Sequence, residues 1–553
     1  MSTKNWQDIA AAKREAILAS IPNEYIIPDP PTPEQQRDVT GAFVHQWLSA
    51  REIEITETDA PGIVAKTAAG EWSAVEVTKA FIHRASIAHQ LTNCLHETAF
   101  PAALEAAAAL DTHFAQTKTP LGPLHGLPVS LKDQFHVRGL DTSMGYVGWL
   151  GTFEGHSPHA NYPVTTESAL VTHLRALGAV IYVKTAVPHT LMCGETVNNI
   201  VGYVRSPANR LLSAGGSSGG EGALIALKGS PCGFGTDIGG SVRIPAAFNG
   251  LYGLRPATGR LPYEGVANSM DGQNSVLSVV GPLAGSVGGL RLLTNAVLTA
   301  HPWLADPKVH ELPWRAAKEA EGAKPKLTFG VLRDDGVVRV TPPVARALDV
   351  AVDALRAAGH TVVEWTPPTP HADLLDCCAR TWTYDGGRDT IAAFALSGEP
   401  QSTDHVVMPW PDPLGDEATA SQIAANNVRQ RHLQKAYLDY WNTTAVDAII
   451  APVAPFPAAR PKLYRYYGYS MWVNLLDYTS VVLPVTAASK ELDLPAGPDF
   501  EPRSELDKLT QDSYDPDVYD GAPVALQFVG RRLEEEKMLK VAEVVDGLLK
   551  NKN

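Results

Sequence analysis

Gly215-Gly216-Ser217-Ser218-Gly219-Gly220-Glu221-Gly222 is followed, after a short apolar segment, by Gly235-Thr236-Asp237-Ile238-Gly239-Gly240-Ser241-Val242-Arg243-Ile244-Pro245. Two glycine-flanked serine sites, Ser217 (with Ser218 beside it) and Ser241, thus lie close together in the chain. Glycine ahead of serine lets the backbone take positive φ or approach a neighbour closely, so amide N–H groups can turn toward one point. That geometry suits an oxyanion site beside a nucleophile. The intervening Glu221-Gly-Ala-Leu-Ile-Ala-Leu reads as a short apolar helix, which makes the two loops parts of a rigid frame.

Three other readings of these loops fail on context. Flexible linkers do not alternate with apolar helix and run into Ile-Pro-Ala-Ala-Phe248. A phosphate cradle would continue as Gly-Lys-Ser/Thr, which is missing. Gly216-Ser-Ser218-Gly-Gly220 matches G-x-S-x-G, but a nucleophile elbow needs a buried strand just before it. Here Arg205-Ser-Pro-Ala-Asn-Arg-Leu-Leu-Ser-Ala214 is a polar, proline-broken loop.

The long pattern from Gly215 to Pro245 resembles the signature of the amidase signature family of serine hydrolases. Further matching stretches are Gly122-Pro-Leu-His-Gly-Leu-Pro-Val-Ser-Leu-Lys132-Asp133, Val183-Lys-Thr185, Gly253-Leu-Arg-Pro256, Gly281-Pro-Leu283 and Gly521-Ala-Pro-Val-Ala-Leu-Gln-Phe-Val-Gly530. Leu91-Thr-Asn-Cys94, Asp141-Thr-Ser-Met-Gly-Tyr146, Glu195-Thr-Val-Asn-Asn199 and Arg465-Tyr-Tyr-Gly-Tyr469 resemble the fungal acetamidase branch of that family over nearly the whole length.

Composition describes an ordinary globular chain of 553 residues, 44% apolar and 19% charged. A formal charge of −14 argues against nucleic acid or an anionic membrane as partner. Five cysteines, without zinc-site spacing, suit a reducing compartment. The Met1-Ser-Thr-Lys-Asn-Trp6 start leads into an amphipathic helix, no apolar run reaches membrane-spanning length, and Asn551-Lys-Asn553 carries no targeting signal. The expectation is a cytoplasmic protein without a membrane anchor, with homodimer formation left open.

Along the chain, Trp6, Ile9, Ala10, Ala16 and Ile17 recur at helical spacing, and Lys13 breaks their stripe. With the stiff Pro28–Pro33 connector, residues 1–58 read as an N-terminal helical arm and linker. Residues 59–548 read as the catalytic domain. Asp59 should cap one helix, and Ser73-x-x-Glu76 reads as a capping box ahead of a helix to about Gln90. Another helix runs from Pro101 to about Gln116. Pro128–Leu131 is a buried strand ending in Lys132, Leu170–Leu177 a helix and Ala179–Val183 a strand. Later alternation (strand Leu327–Leu332, helix Pro343–Ala358, strand Thr361–Trp365) argues for α/β with a largely parallel sheet. Residues from about 300 to 440 otherwise read as an irregular insertion over one end of the sheet, with polar loops at Ser397–His405 and Asp412–Asp416. Val446–Ala451 returns as strand. Length alone would allow about three domains. The resemblance implies one α/β/α unit around a large twisted mixed sheet.

Amide hydrolysis by serine needs a nucleophile, a proton carrier and oxyanion donors. His125 and His189 lie near the signature, and spacing alone leaves a Ser-His-Asp arrangement open. The resemblance implies instead a triad of Lys132, Ser217 and Ser241, with Ser241 the nucleophile and Ser217 the relay. A lysine at the end of a buried strand loses proton affinity through desolvation, so its neutral amine can act as a base. The resemblance further implies an oxyanion hole from the N–H groups of Ile238, Gly239, Gly240 and Ser241, and a cis Gly216–Ser217 peptide. Ser218 reads as a hydrogen-bonding brace, and Asp237 and Arg243 as an ion pair fixing the loop. Met144, Leu191 and Met192 are the candidate pocket residues, and the aromatic Tyr464–Trp472 stretch could cover the site. No H-E-x-x-H or similar metal motif occurs, so neither metal nor cofactor is expected. The implied activity is hydrolysis of small, acetamide-like amides to acid and ammonia. Aryl amides, carbamates and fatty-acid amides are alternatives within the same chemistry. An ammonia-donating subunit of a transamidation complex is an alternative of another class.

Overall fold

The computed structural model describes residues 5–156, 166–401, 415–497 and 499–550. Its centre is an eleven-stranded sheet. In chain order the strands are β1 (Leu95–Thr98), β2 (Pro128–Lys132), β3 (Val180–Thr185), β4 (Cys232–Asp237), β5 (Tyr252–Arg255) and β6 (Val279–Ala284). They continue as β7 (Thr328–Val331), β8 (Thr361–Glu364), β9 (Ala448–Pro452), β10 (Ser480–Ala487) and β11 (Pro523–Val529). Their spatial order is β1-β3-β2-β4-β6-β5-β10-β11-β9-β7-β8. Apolar runs of five or six residues form β2, β3, β4, β6 and β9, each buried along its length, because helices cover what a bare sheet would expose.

The sheet is mixed. Parallel pairings are confined to β2 with β3 and β4, and to β7 with β8 and β9. All the other pairings are antiparallel. The expectation of a largely parallel sheet is therefore corrected. Helix–strand alternation does produce parallel neighbours at both ends, but β5, β6, β10 and β11 join them through antiparallel ladders that alternation does not encode. One α/β domain results, with helix Gly219–Ala226 packed on β2, β3 and β4, and helix Pro342–Ala357 packed on β9, β10 and β11.

The N-terminal helix, Trp6–Ala19, is capped by Asn5. Lys13, the break in its apolar stripe, ion-pairs with Glu97 on β1 and lies 3.7 Å from Asp141. Further along, Arg210 Nη1 donates to the Pro31 carbonyl (2.9 Å) and Arg37 Nη1 to the Asp517 carbonyl (2.7 Å), fastening residues 31–37 to the body. Asp59 caps helix Ala60–Ala68 as expected. At Ser73 only half of the expected box forms. Ser73 Oγ accepts the Glu76 N–H (3.0 Å), but the Glu76 carboxylate turns to Arg51 (2.9 Å), a charged partner that outcompetes a backbone amide. Within residues 300–440 the chain supplies β7 and β8, then helices His371–Thr381 and Ala420–Asn442, which pack with helix Gly468–Leu476 around Trp441 and Trp472. The polar loops read at Ser397–His405 and Asp412–Asp416 fall partly on residues 402–414, outside the described residues.

Candidate active site

Parallel neighbours end at the same edge of a sheet, so β2 and β4 deliver their last residues to one place. Lys132 closes β2; Thr236 and Asp237 close β4. Lys132 Nζ donates to Thr236 Oγ1 (2.7 Å) and to Ser217 Oγ (2.8 Å). It is wholly buried. Among the described residues no carboxylate touches the amine, and both of its hydrogen-bond partners are hydroxyls. Burial disfavours the ammonium and outweighs the attraction of Asp237 and Glu221, bringing the pKa down to about 7. Thr236 Oγ1 in turn donates to Gln134 Oε1 (2.7 Å), which fixes the hydroxyl that Lys132 meets.

Ser217 and Ser218 stand where the loop enters helix Gly219–Ala226. The Gly216–Ser217 peptide is cis. Gly216 has to be glycine, since a Cβ there would overlap the Cys193 carbonyl. Ser218 N–H donates to the Ser241 carbonyl (3.1 Å), so the two serine loops are tied through backbone. Ser217, Ser241, Thr236 and Gln134 line one cavity.

Asp237 organises the turn that carries Ser241. Its carboxylate accepts the N–H groups of Gly240 (2.9 Å) and Val242 (3.2 Å) and pairs with Arg243 Nη2 (3.0 Å). Arg243 continues to the Ser470 carbonyl, Gln527 and Asn474. Both charges are fully buried. Burial pushes the Asp237 carboxyl up, but the Arg243 guanidinium, with Arg255 and Asn474, more than reverses this and holds it well below the usual carboxylate range. Gly240 adopts φ +125°, a region open to glycine. Its N–H, expected as an oxyanion donor, is engaged by Asp237. Of the expected donors this leaves Ile238, Gly239 and Ser241.

Leu191 and Met192 lie on the cavity wall with Ile238 and Trp382. Thr190 and Leu191 both hold positive φ (+67° and +63°), an uncommon conformation for residues with a side chain, and it turns them toward the cavity. Met144, expected beside them, is displaced: it is fully buried in an apolar cluster with Tyr146, Trp149 and Phe394, behind Leu191. From Tyr464–Trp472, Tyr467 and Met471 line a small adjoining apolar recess that also reaches Ser241, whereas Tyr466 and Tyr469 bond to Asp335 and the Val338 carbonyl. His125 accepts the Leu121 N–H and sits against Phe114; His189 meets the Phe394 ring. Neither histidine lines the cavity.

Several residues at the site carry no local sequence signal. Asn268, Ser269, Gln273 and Trp382 reach the cavity from loops far along the chain. Gln134, two residues past Lys132, and Thr236, inside the signature, were open to reading as polar residues at strand ends. Glu221 is fully buried behind the lysine, its carboxylate accepting Ser130 Oγ (2.6 Å) and Thr185 Oγ1 (2.8 Å).

An α/β domain with a glycine-built serine turn at a sheet edge, backed by a buried amine, has the architecture of an amide hydrolase. The comparisons agree. A family profile, Amidase, matches residues 76–539. The chain is 46% identical to an acetamidase of Emericella nidulans over 99% of both chains, and 45% identical to an acetamidase of Aspergillus oryzae over 99% of this chain and 100% of that one. A solved fatty acid amide hydrolase superposes with a TM-score of 0.93 at 33% identity, covering 99% of this chain and 95% of the other. This chain belongs to the amidase family.

Proposed function

We propose that the chain hydrolyses small carboxylic acid amides, acetamide-like in size, to the acid and ammonia through an acyl-enzyme on Ser241. The observation that carries the mechanism is the Lys132 amine, buried, without a carboxylate in contact among the described residues, and 2.8 Å from Ser217 Oγ. Ser241 Oγ attacks the carbonyl carbon while its proton passes to Ser217, whose own proton moves to neutral Lys132. The oxyanion meets the N–H groups of Ile238, Gly239 and Ser241, each worth about 3–4 kcal/mol in such a site. The proton then returns through Ser217 to the amide nitrogen, the C–N bond breaks, and ammonia leaves. Water attacks the Ser241 ester by the same relay and releases the acid. Ser218 and the Asp237–Arg243 pair hold the two loops in register.

The small-amide reading rests on the two acetamidase relatives. One observation favours larger amides: beyond the serines the cavity wall continues into an apolar recess lined by Leu191, Met192, Trp382, Tyr467 and Met471. A buried methylene contributes about 0.8 kcal/mol, so efficiency should rise over the first few acyl carbons and then fall. A continued rise to long chains would assign fatty-acid amides instead. The reading extends to one catalytic unit with residues 1–58 as its arm, working in the cytoplasm as monomer or homodimer. All five cysteines being free thiols supports a reducing compartment. Among the described residues, no helix is long and apolar enough to cross a membrane.

The test is Ser241→Ala. It should abolish turnover in a folded protein, and a fluorophosphonate should add mass at Ser241 of the wild type. Labelling that survives Ser241→Ala and disappears in Ser218→Ala would overturn the assignment.

A further inference from the structure

Glu221 is the first charged residue of an otherwise apolar helix, and nothing in the relay just described uses it. Every residue from Gly219 to Ile225 is buried. Its two carboxylate oxygens are taken by hydroxyls from two different strands: Ser130 on β2 and Thr185 on β3. Ser130 is two residues before Lys132, hence on the same face of β2, and Thr185 is the β3 partner of Lys132 in the parallel ladder. Space is reserved for this arrangement. A Cβ at Gly233, opposite Ser130 on β4, would overlap both the Glu221 carboxylate and Ser130 Oγ.

We propose that Glu221 is a positioning residue for the Lys132 amine: held by Ser130 and Thr185, its carboxylate ties the lysine strand to the helix that follows Ser217 and sets the proton affinity of the amine without touching it. The proposal rests on Lys132 being the base. Burial raises the Glu221 carboxyl, and the Ser130 and Thr185 hydrogen bonds and Lys132 bring it back only to about 7. The other titratable groups that face it are the Cys94 and Cys232 thiols and the Tyr182 phenol, all pushed further up by burial and so neutral. Lys132 is the cation that acts on Glu221 among the described residues, and Glu221, with Asp237, acts back on Lys132 to favour its proton. Removing the Glu221 charge therefore lowers the pKa of the amine.

The experiment follows the rate of fluorophosphonate labelling of Ser241 against pH, which needs no knowledge of the natural amide. In Glu221→Gln the acid limb should move to lower pH by about 0.5 unit or more. Thr185→Val, losing one hydrogen bond to the carboxylate, should move it the same way by less, and Thr185→Ser should match the wild type. A Glu221→Gln limb that coincides with the wild type, whatever the plateau, overturns the proposal. If Glu221→Gln does not accumulate as folded protein, the threonine pair decides. Equal limbs in Thr185→Val and Thr185→Ser overturn it; a shift confined to Thr185→Val supports it. Lys132→Arg in the same series separates the two claims, since labelling at the wild-type rate there would remove Lys132 as base whatever Glu221 does.

Discussion

Two lysines sit on neighbouring parallel strands, both without solvent exposure, and their surroundings treat them in opposite ways. Lys132 ends β2 among hydroxyls. Lys184, on β3, meets Asp133 Oδ1 at 2.7 Å, the Thr142 hydroxyl at 2.8 Å and the Asp141 carbonyl at 2.5 Å. In the ladder Lys132 faces Thr185 and Leu131 faces Lys184. The two-residue period of a strand then sorts the side chains: Ser130, Lys132 and Thr185 share the face that meets the serine helix, while Asp133 and Lys184 share the other. On that second face His96 and Ser143 also bond to Asp133, whose carboxyl burial would raise but Lys184 and His96 hold well below the ordinary range. The two lysines are equally buried but differently partnered: the fold sets a carboxylate against Lys184 and, among the described residues, only hydroxyls against the Lys132 amine.

The largest effect should come from exchanging the lysines for arginine, which keeps a positive charge and cannot release its proton. Lys132→Arg should slow acylation by about a thousandfold or more, as loss of a general base does. Lys184→Arg should stay within about tenfold, because arginine can still pair with Asp133. Equal losses in rapid-quench acylation assays would erase the distinction. Next in size is stability. Lys184→Met strands the buried Asp133 and should cost about 3–5 kcal/mol in chemical denaturation, with partial recovery when Asp133→Asn is added.

Lys132→Met should go the other way, gaining about 1–3 kcal/mol at neutral pH while abolishing activity. The sign follows from linkage. The unfolded lysine holds its proton up to about 10.4, whereas the folded amine releases it above about 7. The unfolded chain therefore binds more protons between these values, and the Lys132 penalty fades as pH rises through them. The gain of Lys132→Met should shrink over the same window. The smallest effect should be at the histidines: His125→Asn and His189→Asn should each retain acylation within a few-fold, since neither ring reaches the cavity.

How much of this was legible in the sequence follows from where each signal resides. The serine loops and Lys132 stood out because their signals are local, glycines around a serine and a charge ending an apolar run; their roles came from the family resemblance, since spacing alone left a Ser-His-Asp arrangement open. Lys13 was visible as a break in a helical stripe, but its partners Glu97 and Asp141 are distant in sequence. Glu221 was read as the start of an apolar helix. Its carboxylate was in plain view, yet its meaning lies in Ser130, Thr185 and the vacant space at Gly233, which only the β2–β3–β4 ladder assembles. Met144 failed for a similar reason: Asp133 accepts the Ser143 and Met144 N–H groups and fixes the turn so that the side chain enters an apolar cluster instead of the cavity. Trp382, Asn268 and Gln273 are set by tertiary packing alone. Helix–strand alternation alone suggested a largely parallel sheet, because it reports neighbours in sequence and not order in space; the mixed sheet was implied by the family resemblance.

The proposed relay requires a neutral Lys132 amine at the pH where the enzyme works. With lysines labelled at 13Cε and 15Nζ, and the Lys132 resonance assigned as the one lost in Lys132→Met, an NMR pH titration of the folded protein reads this directly. The expected midpoint is near 7, shifted down by burial from about 10.4. A Lys132 resonance that stays in its protonated position through pH 9 would contradict it.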